Sequence, residues 1–256
     1  MSRARKRFGQ HFLHDPEVLR RIVAAIDPQP GEPLVEIGPG RGALTAPLLE
    51  RAGTLTAIEI DRDLARGLAQ RFGPALKLIV GDALEVDFAA LRGTGPALRV
   101  VGNLPYNIST PLLFHLLAQR AAVRDMHFML QREVVERMVA APGSKSYGRL
   151  TVMLAPWARI EALLDVPPQA FRPTPKVSST VVRITPHGEA AFPIGDPARF
   201  ERIVRAAFSQ RRKTLRNALK GLVDAERLRQ HSIDPTLRPE RLTPAQFALL
   251  AAPPAT

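Results

Sequence analysis

The chain predicts an α/β fold, a mostly parallel, doubly wound sheet followed by a small helical domain, and three observations carry that expectation. Short apolar runs alternate with stretches of helical periodicity over the first two thirds of the chain. Several of those runs stop at a glycine, an acid or an x-Pro signal. Beyond a proline- and glycine-rich stretch at 185–197, the remaining segments read as helices. At 256 residues, 45% of them hydrophobic, the chain can build one full α/β domain over 1–185 and a smaller helical domain over 186–256.

The elements follow in order. A helix is expected from about Pro16 to Ile26, then strands at Leu34 to Ile37, Leu55 to Ile60, Leu76 to Val80 and Leu98 to Val101. Further strands are expected at Met126 to Leu130, Trp157 to Val166 and Thr180 to Ile184, the last two joined by a proline-rich connection. Residues 185–197 are the candidate linker. Asp196-Pro197 then has the form of a helix start, an acid as cap and a proline in the first turn. Leu215 to Leu222 and Pro244 to Leu250 complete the helical end.

The strand ends carry the chemistry. The first apolar run, interrupted by Glu36, opens into Gly38-Pro39-Gly40-Arg41-Gly42, where glycines permit a tight turn and close backbone approach to a ligand. Glu59 lies about twenty residues past the first glycine, the spacing at which an acid meets ribose hydroxyls. The next run ends in Gly81-Asp82, whose carboxylate can accept from an adenine amine. A glycine loop alone is also a plain turn and is compatible with a nicotinamide cofactor. No Gly-Lys-Ser/Thr follows it, which disfavours nucleoside triphosphate hydrolysis.

The fourth run ends in Asn103-Leu104-Pro105-Tyr106. The carboxamide of Asn103 and the carbonyl of Leu104 can accept both hydrogens of a heterocyclic amine, and the Tyr106 ring can stack on the base. Read alone, the tetrapeptide is a proline turn after a strand. Read with the glycine turn, the acidic strand end and Asp82, it resembles the adenine-specific S-adenosylmethionine-dependent methyltransferases. The resemblance is nearest to the KsgA-type (RsmA) small-subunit ribosomal RNA adenine dimethyltransferases. It extends from Gly9-Gln10-His11-Phe12-Leu13 through Phe171-Arg172-Pro173-Thr174-Pro175-Lys176-Val177 to the basic segment Phe208 to Leu215.

That resemblance implies a Rossmann-like class I methyltransferase sheet of seven strands with an antiparallel final pair, and S-adenosyl-L-methionine as cofactor. The cofactor contacts it implies are Gln10, His11, Leu13, Glu36, Gly38, Gly40, Glu59, Asp82, Ala83 and Asn103. His11 stands where many relatives have Asn. Asn103, Leu104 and Tyr106 would handle the target base. Phe171, on a stiff proline-bearing loop, would cover the base's second face, although a lone Phe is otherwise a core residue. The loop Pro142 to Gly148 has the composition of a mobile substrate rim. The implied reaction is dimethylation of two neighbouring adenosines near the 3′ end of small-subunit rRNA in late assembly. The implied partners are the small ribosomal subunit and its rRNA, with the enzyme a cytoplasmic monomer. An adenine methyltransferase acting on large-subunit rRNA and a non-catalytic assembly factor are the alternatives.

Charge agrees with an RNA partner. The formal net charge is +12. Residues 199–220 hold eight Lys or Arg against Glu201 alone, and Arg3, Arg5, Lys6 and Arg7 supply four more, so two short segments contain almost the whole excess. Such concentration is the footprint of phosphate-backbone binding, though a solvated helix face would look the same. The RNA-binding residues expected are Arg5, Lys6, Arg7, Arg205, Arg211, Arg212, Lys213 and Arg216. Cysteine is absent and the six histidines show no metal-ligand spacing, so no metal is expected. No apolar run reaches the length of a membrane span, and no membrane partner is expected.

Overall fold

A computed structural model of the protein describes residues 11–105, 108–210 and 212–252. Its strands are β1 (Phe12–Leu13), β2 (Leu34–Ile37), β3 (Leu55–Glu59), β4 (Leu76–Val80), β5 (Leu98–Asn103), β6 (Val123–Gln131), β7 (Ala158–Val166), β8 (Phe171–Arg172) and β9 (Ser179–Pro186). The helices in the first half are α1 (Pro16–Ile26), α2 (Thr45–Ala52), α3 (Arg62–Phe72), α4 (Phe88–Arg92) and α5 (Ser109–Ala118). They are followed by α6 (Arg132–Met138), α7 (Arg149–Leu154), α8 (Pro197–Ser209), α9 (Leu215–Ala218), α10 (Ala225–Gln230) and α11 (Pro244–Ala251).

Seven strands pair in the order β4-β3-β2-β5-β6-β9-β7. β4, β3, β2, β5 and β6 are parallel neighbours, and β9 runs antiparallel to β6. The central strands β2 and β5 are buried along almost their whole length because both of their faces are covered, even at Glu36 and Arg99. The helices stop and start for local reasons. The Asp15 carboxylate accepts from the backbone N–H of Glu17 and Val18, Pro16 occupies the first turn, and Val18, Ile22, Val23 and Ile26 form the buried stripe of α1. Asp61 caps α3 and Asp196 caps α8 in the same manner.

The chain divides into two compact units. Residues up to Val135 together with Ile160–Pro186 form the sheet unit, and Glu136–Arg159 together with the chain from His187 onward form the helical unit. The helical unit thus takes in a stretch from the middle of the chain that the linear division at 185 assigns to the first domain. Its core explains why: Tyr147 and Val152 are fully buried with Phe200, Val204, Leu215 and Phe247. The Tyr147 hydroxyl donates to the Leu242 carbonyl at 2.7 Å, and burial raises its pKa. Residues 142–148 are thus anchored at Tyr147 while Pro142 to Lys145 stay exposed; Gly143 N–H also donates to the Glu240 carbonyl at 2.7 Å. The linker stretch is tied down too, with His187 and Ala191 donating to the Trp157 and Pro156 carbonyls and Ile194 buried in the same core.

Two features of the sheet unit have energetic consequences. Gly102 of β5 lies against β2 so closely that an added Cβ would stand 2.4 Å from the Ile37 carbonyl oxygen, a backbone atom that cannot rotate away. Glu36 of β2 is buried and accepts from the Thr45 hydroxyl at 2.7 Å. Burial pushes its carboxyl up to about 7, against the pull of that hydrogen bond and with some help from the charge of Glu59.

Gly102→Ala should therefore cost about 1–3 kcal/mol by forcing β2 and β5 apart; denaturant unfolding with an unchanged midpoint would show that the strands yield freely. Glu36 gives a pH signature. Its folded pKa lies above the unfolded value of 4.5, so the folded state holds the extra proton and stability falls as pH rises through 4.5 to about 7. Glu36→Gln should flatten that slope and stabilise the protein above pH 7 by roughly 2–4 kcal/mol. Parallel pH-stability curves for the two proteins would contradict this.

Candidate active site

The sheet order reverses between β2 and β5, because the chain builds β3 and β4 outward on one side before returning to build β5 and β6 on the other. Connections from the carboxyl ends of these two strands leave in opposite directions and open a crevice. The cleft found there is lined by the ends of β2, β3, β4 and β5, and lies wholly within the sheet unit. Of the expected cofactor residues, His11, Leu13, Glu36, Gly38, Gly40, Glu59, Asp82, Ala83 and Asn103 all line it. Gln10 lies outside the described residues.

The glycine loop is held open by backbone geometry. Gly38 and Gly40 have φ values of +67° and +59°, which side chains rarely tolerate. A Cβ on Gly40 would also approach the Phe12 ring to 3.2 Å. Glu59 pins the loop: one carboxylate oxygen accepts from Gly40 N–H at 3.1 Å and the other from Asp61 N–H at 2.9 Å. Burial raises its pKa, and the backbone donors from Asp61 and Gly40 partly offset that rise. A carboxylate has about four acceptor sites, so Glu59 retains capacity to accept from a ribose hydroxyl. Asp82 caps the short 3-10 turn Ala83–Glu85 through one oxygen, accepting from Leu84 N–H at 2.9 Å, and a carboxylate's second oxygen can accept from an amine.

Asn103 ends β5 beside this loop, its backbone carbonyl 3.9 Å from where a Gly38 Cβ would sit. Its carboxamide nitrogen donates to the His11 carbonyl at 2.9 Å. Leu104 lines the cleft with a buried side chain, and its N–H donates to the Met129 carbonyl at 3.3 Å, so the chain leaves β5 tethered to β6. Tyr106 lies outside the described residues.

Phe171 requires a correction. It is 1% exposed, belongs to the apolar core of the sheet unit with Leu13, Val166 and Ala170, and does not line the cleft. Its ring presents no face to a base; β8 instead pairs antiparallel with β1, Leu13 opposite Phe171 and Phe12 opposite Arg172. The same ribbon brings in residues absent from the expected set. Phe12 covers Gly40, and the Arg41 guanidinium stacks over the Phe12 ring at 4.5 Å. Ile60, exposed at the end of β3, adds an apolar wall. Position supplies the only sequence signal for these residues: each adjoins or lies within an expected motif.

The expected RNA-binding residues fall on the helical unit where they are described. On α8, Phe200, Ile203, Val204 and Ala207 turn inward while Arg202 and Arg205 are exposed. Arg212, Lys213, Arg216 and Lys220 are exposed as well. Arg199 has a structural partner, donating to the Leu222 carbonyl. Arg5, Lys6, Arg7 and Arg211 lie outside the described residues. Among the described residues no cluster of three or more His, Asp or Glu side chains is arranged to hold a metal ion, and no helix is long and apolar enough to cross a membrane.

Comparison with known proteins identifies the family. The ribosomal RNA adenine dimethylase family model matches residues 1–252. Ribosomal RNA small subunit methyltransferase A of Aromatoleum aromaticum is 57% identical over 249 residues, covering 97% of this chain and 93% of its own. The protein of the same name in Pseudomonas aeruginosa is 55% identical over 251 residues, covering 97% and 94%. Among solved structures, a dimethyladenosine transferase from Plasmodium falciparum superposes with a TM-score of 0.80 at 25% identity, over 94% of this chain and 96% of its own. The 23S rRNA methyltransferase ErmE superposes with a TM-score of 0.73 at 25% identity, over 94% and 98%. With a match that spans nearly the whole chain and relatives more than half identical across it, the chain belongs to the ribosomal RNA adenine dimethylase family.

Proposed function

We propose that the protein dimethylates the exocyclic amines of two neighbouring adenosines near the 3′ end of small-subunit rRNA, using S-adenosyl-L-methionine, during late assembly of the subunit in the cytoplasm. The observation that carries the reading is the Asn103 carboxamide, turned by the His11 carbonyl and set beside the Gly38 loop in one cleft. The relatives named for the small subunit are more than half identical across the chain, whereas the 23S enzyme is 25% identical, which favours the small subunit as substrate.

The cleft suits the cofactor. Glycine backbone at positive φ allows close approach, Glu59 and Asp82 supply acceptors for a ribose and a purine amine, and Leu13, Ile37, Ile58 and Ile60 supply apolar walls. When bound, S-adenosylmethionine supplies a methyl group on positively charged sulfur, which is electrophilic without a metal. An adenine amine is a poor nucleophile because its lone pair is delocalised into the ring. Asn103 Oδ1 and the Leu104 carbonyl answer this by accepting the amine hydrogens and aligning the lone pair with the methyl. A carboxamide is no base, so the role of Asn103 is orientation. The target base must leave its stack to enter, at a cost of a few kcal/mol, and stacking on Tyr106 would return roughly 1–3 kcal/mol. The exposed cations of the helical unit supply phosphate contacts without base readout.

Asn103→Ala should lower turnover on undermethylated small subunits by on the order of a hundredfold or more while the affinity for S-adenosylhomocysteine changes little. Comparable turnover in a tritiated-methyl assay would remove Asn103 from the mechanism, and label entering large rather than small subunits would reassign the substrate. Replacing Arg212, Lys213 and Arg216 together by Ala should weaken subunit binding and make the plot of log affinity against log salt shallower by about 2. A slope equal to that of the unmodified protein would place the RNA contacts elsewhere.

A further inference from the structure

We infer that His11 is a positioning residue for methyl transfer, acting through the orientation of the Asn103 carboxamide; the inference rests on the adenine methyltransferase reading of the cleft. The two ends of a carboxamide have nearly the same shape, and a half-turn about its terminal bond exchanges an acceptor for a donor. Only one of the two orientations presents Oδ1 to a substrate amine. The group that selects it is the His11 backbone carbonyl, which can only accept, so the NH₂ of Asn103 must face it at 2.9 Å.

The position of that carbonyl is in turn set by a three-point tether. The His11 imidazole Nδ1 is 2.7 Å from the Pro173 carbonyl oxygen, and since a carbonyl cannot donate, Nδ1 carries the hydrogen. Phe12 and Leu13 pair with Arg172 and Phe171, and His14 N–H donates to the Ala170 carbonyl at 2.9 Å. Phe171, which does not reach the base, roots this ribbon in the core. The imidazole is the side-chain anchor of the segment nearest to Asn103. Loss of the Nδ1 donor would free the carbonyl of residue 11 to shift and the carboxamide to turn. This differs from a direct cofactor contact at His11, which would act on cofactor affinity.

Isosteres separate the two. An Asn at position 11 places its amide N–H where Nδ1 stands; a Gln places its own where Nε2 stands. With His11→Ala, His11→Gln and His11→Asn in the full chain, turnover at saturating cofactor should fall roughly tenfold or more for Ala and Gln and stay within about threefold for Asn. Calorimetric affinity for S-adenosylhomocysteine should vary by less than about threefold throughout. The side-chain amide protons of Asn103, assigned in 15N spectra by their loss in Asn103→Ala, should be protected from solvent exchange in the unmodified protein and in His11→Asn only. Equal turnover for Gln and Asn, or a loss carried wholly by cofactor affinity, overturns the inference. Amide protection that ignores all three substitutions overturns it even where the unmodified protein methylates small subunits. The expected protection pattern in a protein that methylates neither subunit supports the positioning geometry and rejects the rRNA reading instead.

Discussion

The close passage of β5 against β2 at Gly102 is the constraint on which the site depends. It holds together the two strands at which the sheet changes direction, and so sets the glycine loop leaving β2 directly beside the carboxamide leaving β5. A wider gap would separate the Asn103 carboxamide from the Gly38 loop, and with them the proposed amine acceptor and the proposed cofactor backbone. Glu59 makes the neighbouring connection, one carboxylate spanning the glycine loop and the turn after β3. At the other end of β5, Arg99 holds both oxygens of Asp125 and donates to the Ile26 and Asp27 carbonyls, tying the end of α1 to the sheet. One short strand is thus anchored by charge where it begins and by steric fit where it opens into the site.

Buried and half-buried carboxylates recur along this line for different reasons. Asp125 sits among cations: burial would raise its carboxyl, but the His127 imidazole and the Arg99 guanidinium hold it well below the usual range. Among the described residues no Lys or Arg neutralises Glu36 or Glu59, and burial raises both. That placement is costly for stability and suits a cleft that receives a positively charged donor. Among the described residues, exposed cations gather instead on the helical unit, where α8 turns its apolar stripe inward and Arg202 and Arg205 to solvent.

Much of this was legible in the sequence because the signals are local. An Asp-Pro start and a 3.6-residue stripe mark α1 from Pro16 to Ile26, and β2 and β4 coincide with their apolar runs. Glycine, Glu59, Asp82 and Asn103 stand at strand ends, and parallel pairing brings such ends together once the order of strands is set. What was hidden depends on pairing between distant residues. β1 and β8 are two residues each, too short for any period, and meet across about 160 positions of chain; their pairing draws Phe171 into the core and away from the base. The segment from Glu136 to Arg159 reads as part of the alternating region, yet Tyr147 finds its hydrogen-bond partner at Leu242. A serine- and glycine-rich composition describes the turn around Gly143 but says nothing of the aromatic anchor that holds it.

The central claim is that one crevice, at the β2–β5 switch, holds both the methyl donor and the amine acceptor. A crystal structure with S-adenosylhomocysteine tests it most directly. The account predicts the ribose against Glu59, the purine amine at Asp82, and the sulfur facing Asn103 Oδ1 across a gap wide enough for a planar base. A nucleoside bound elsewhere, or an Asn103 carboxamide turned with its nitrogen toward the sulfur, would contradict it.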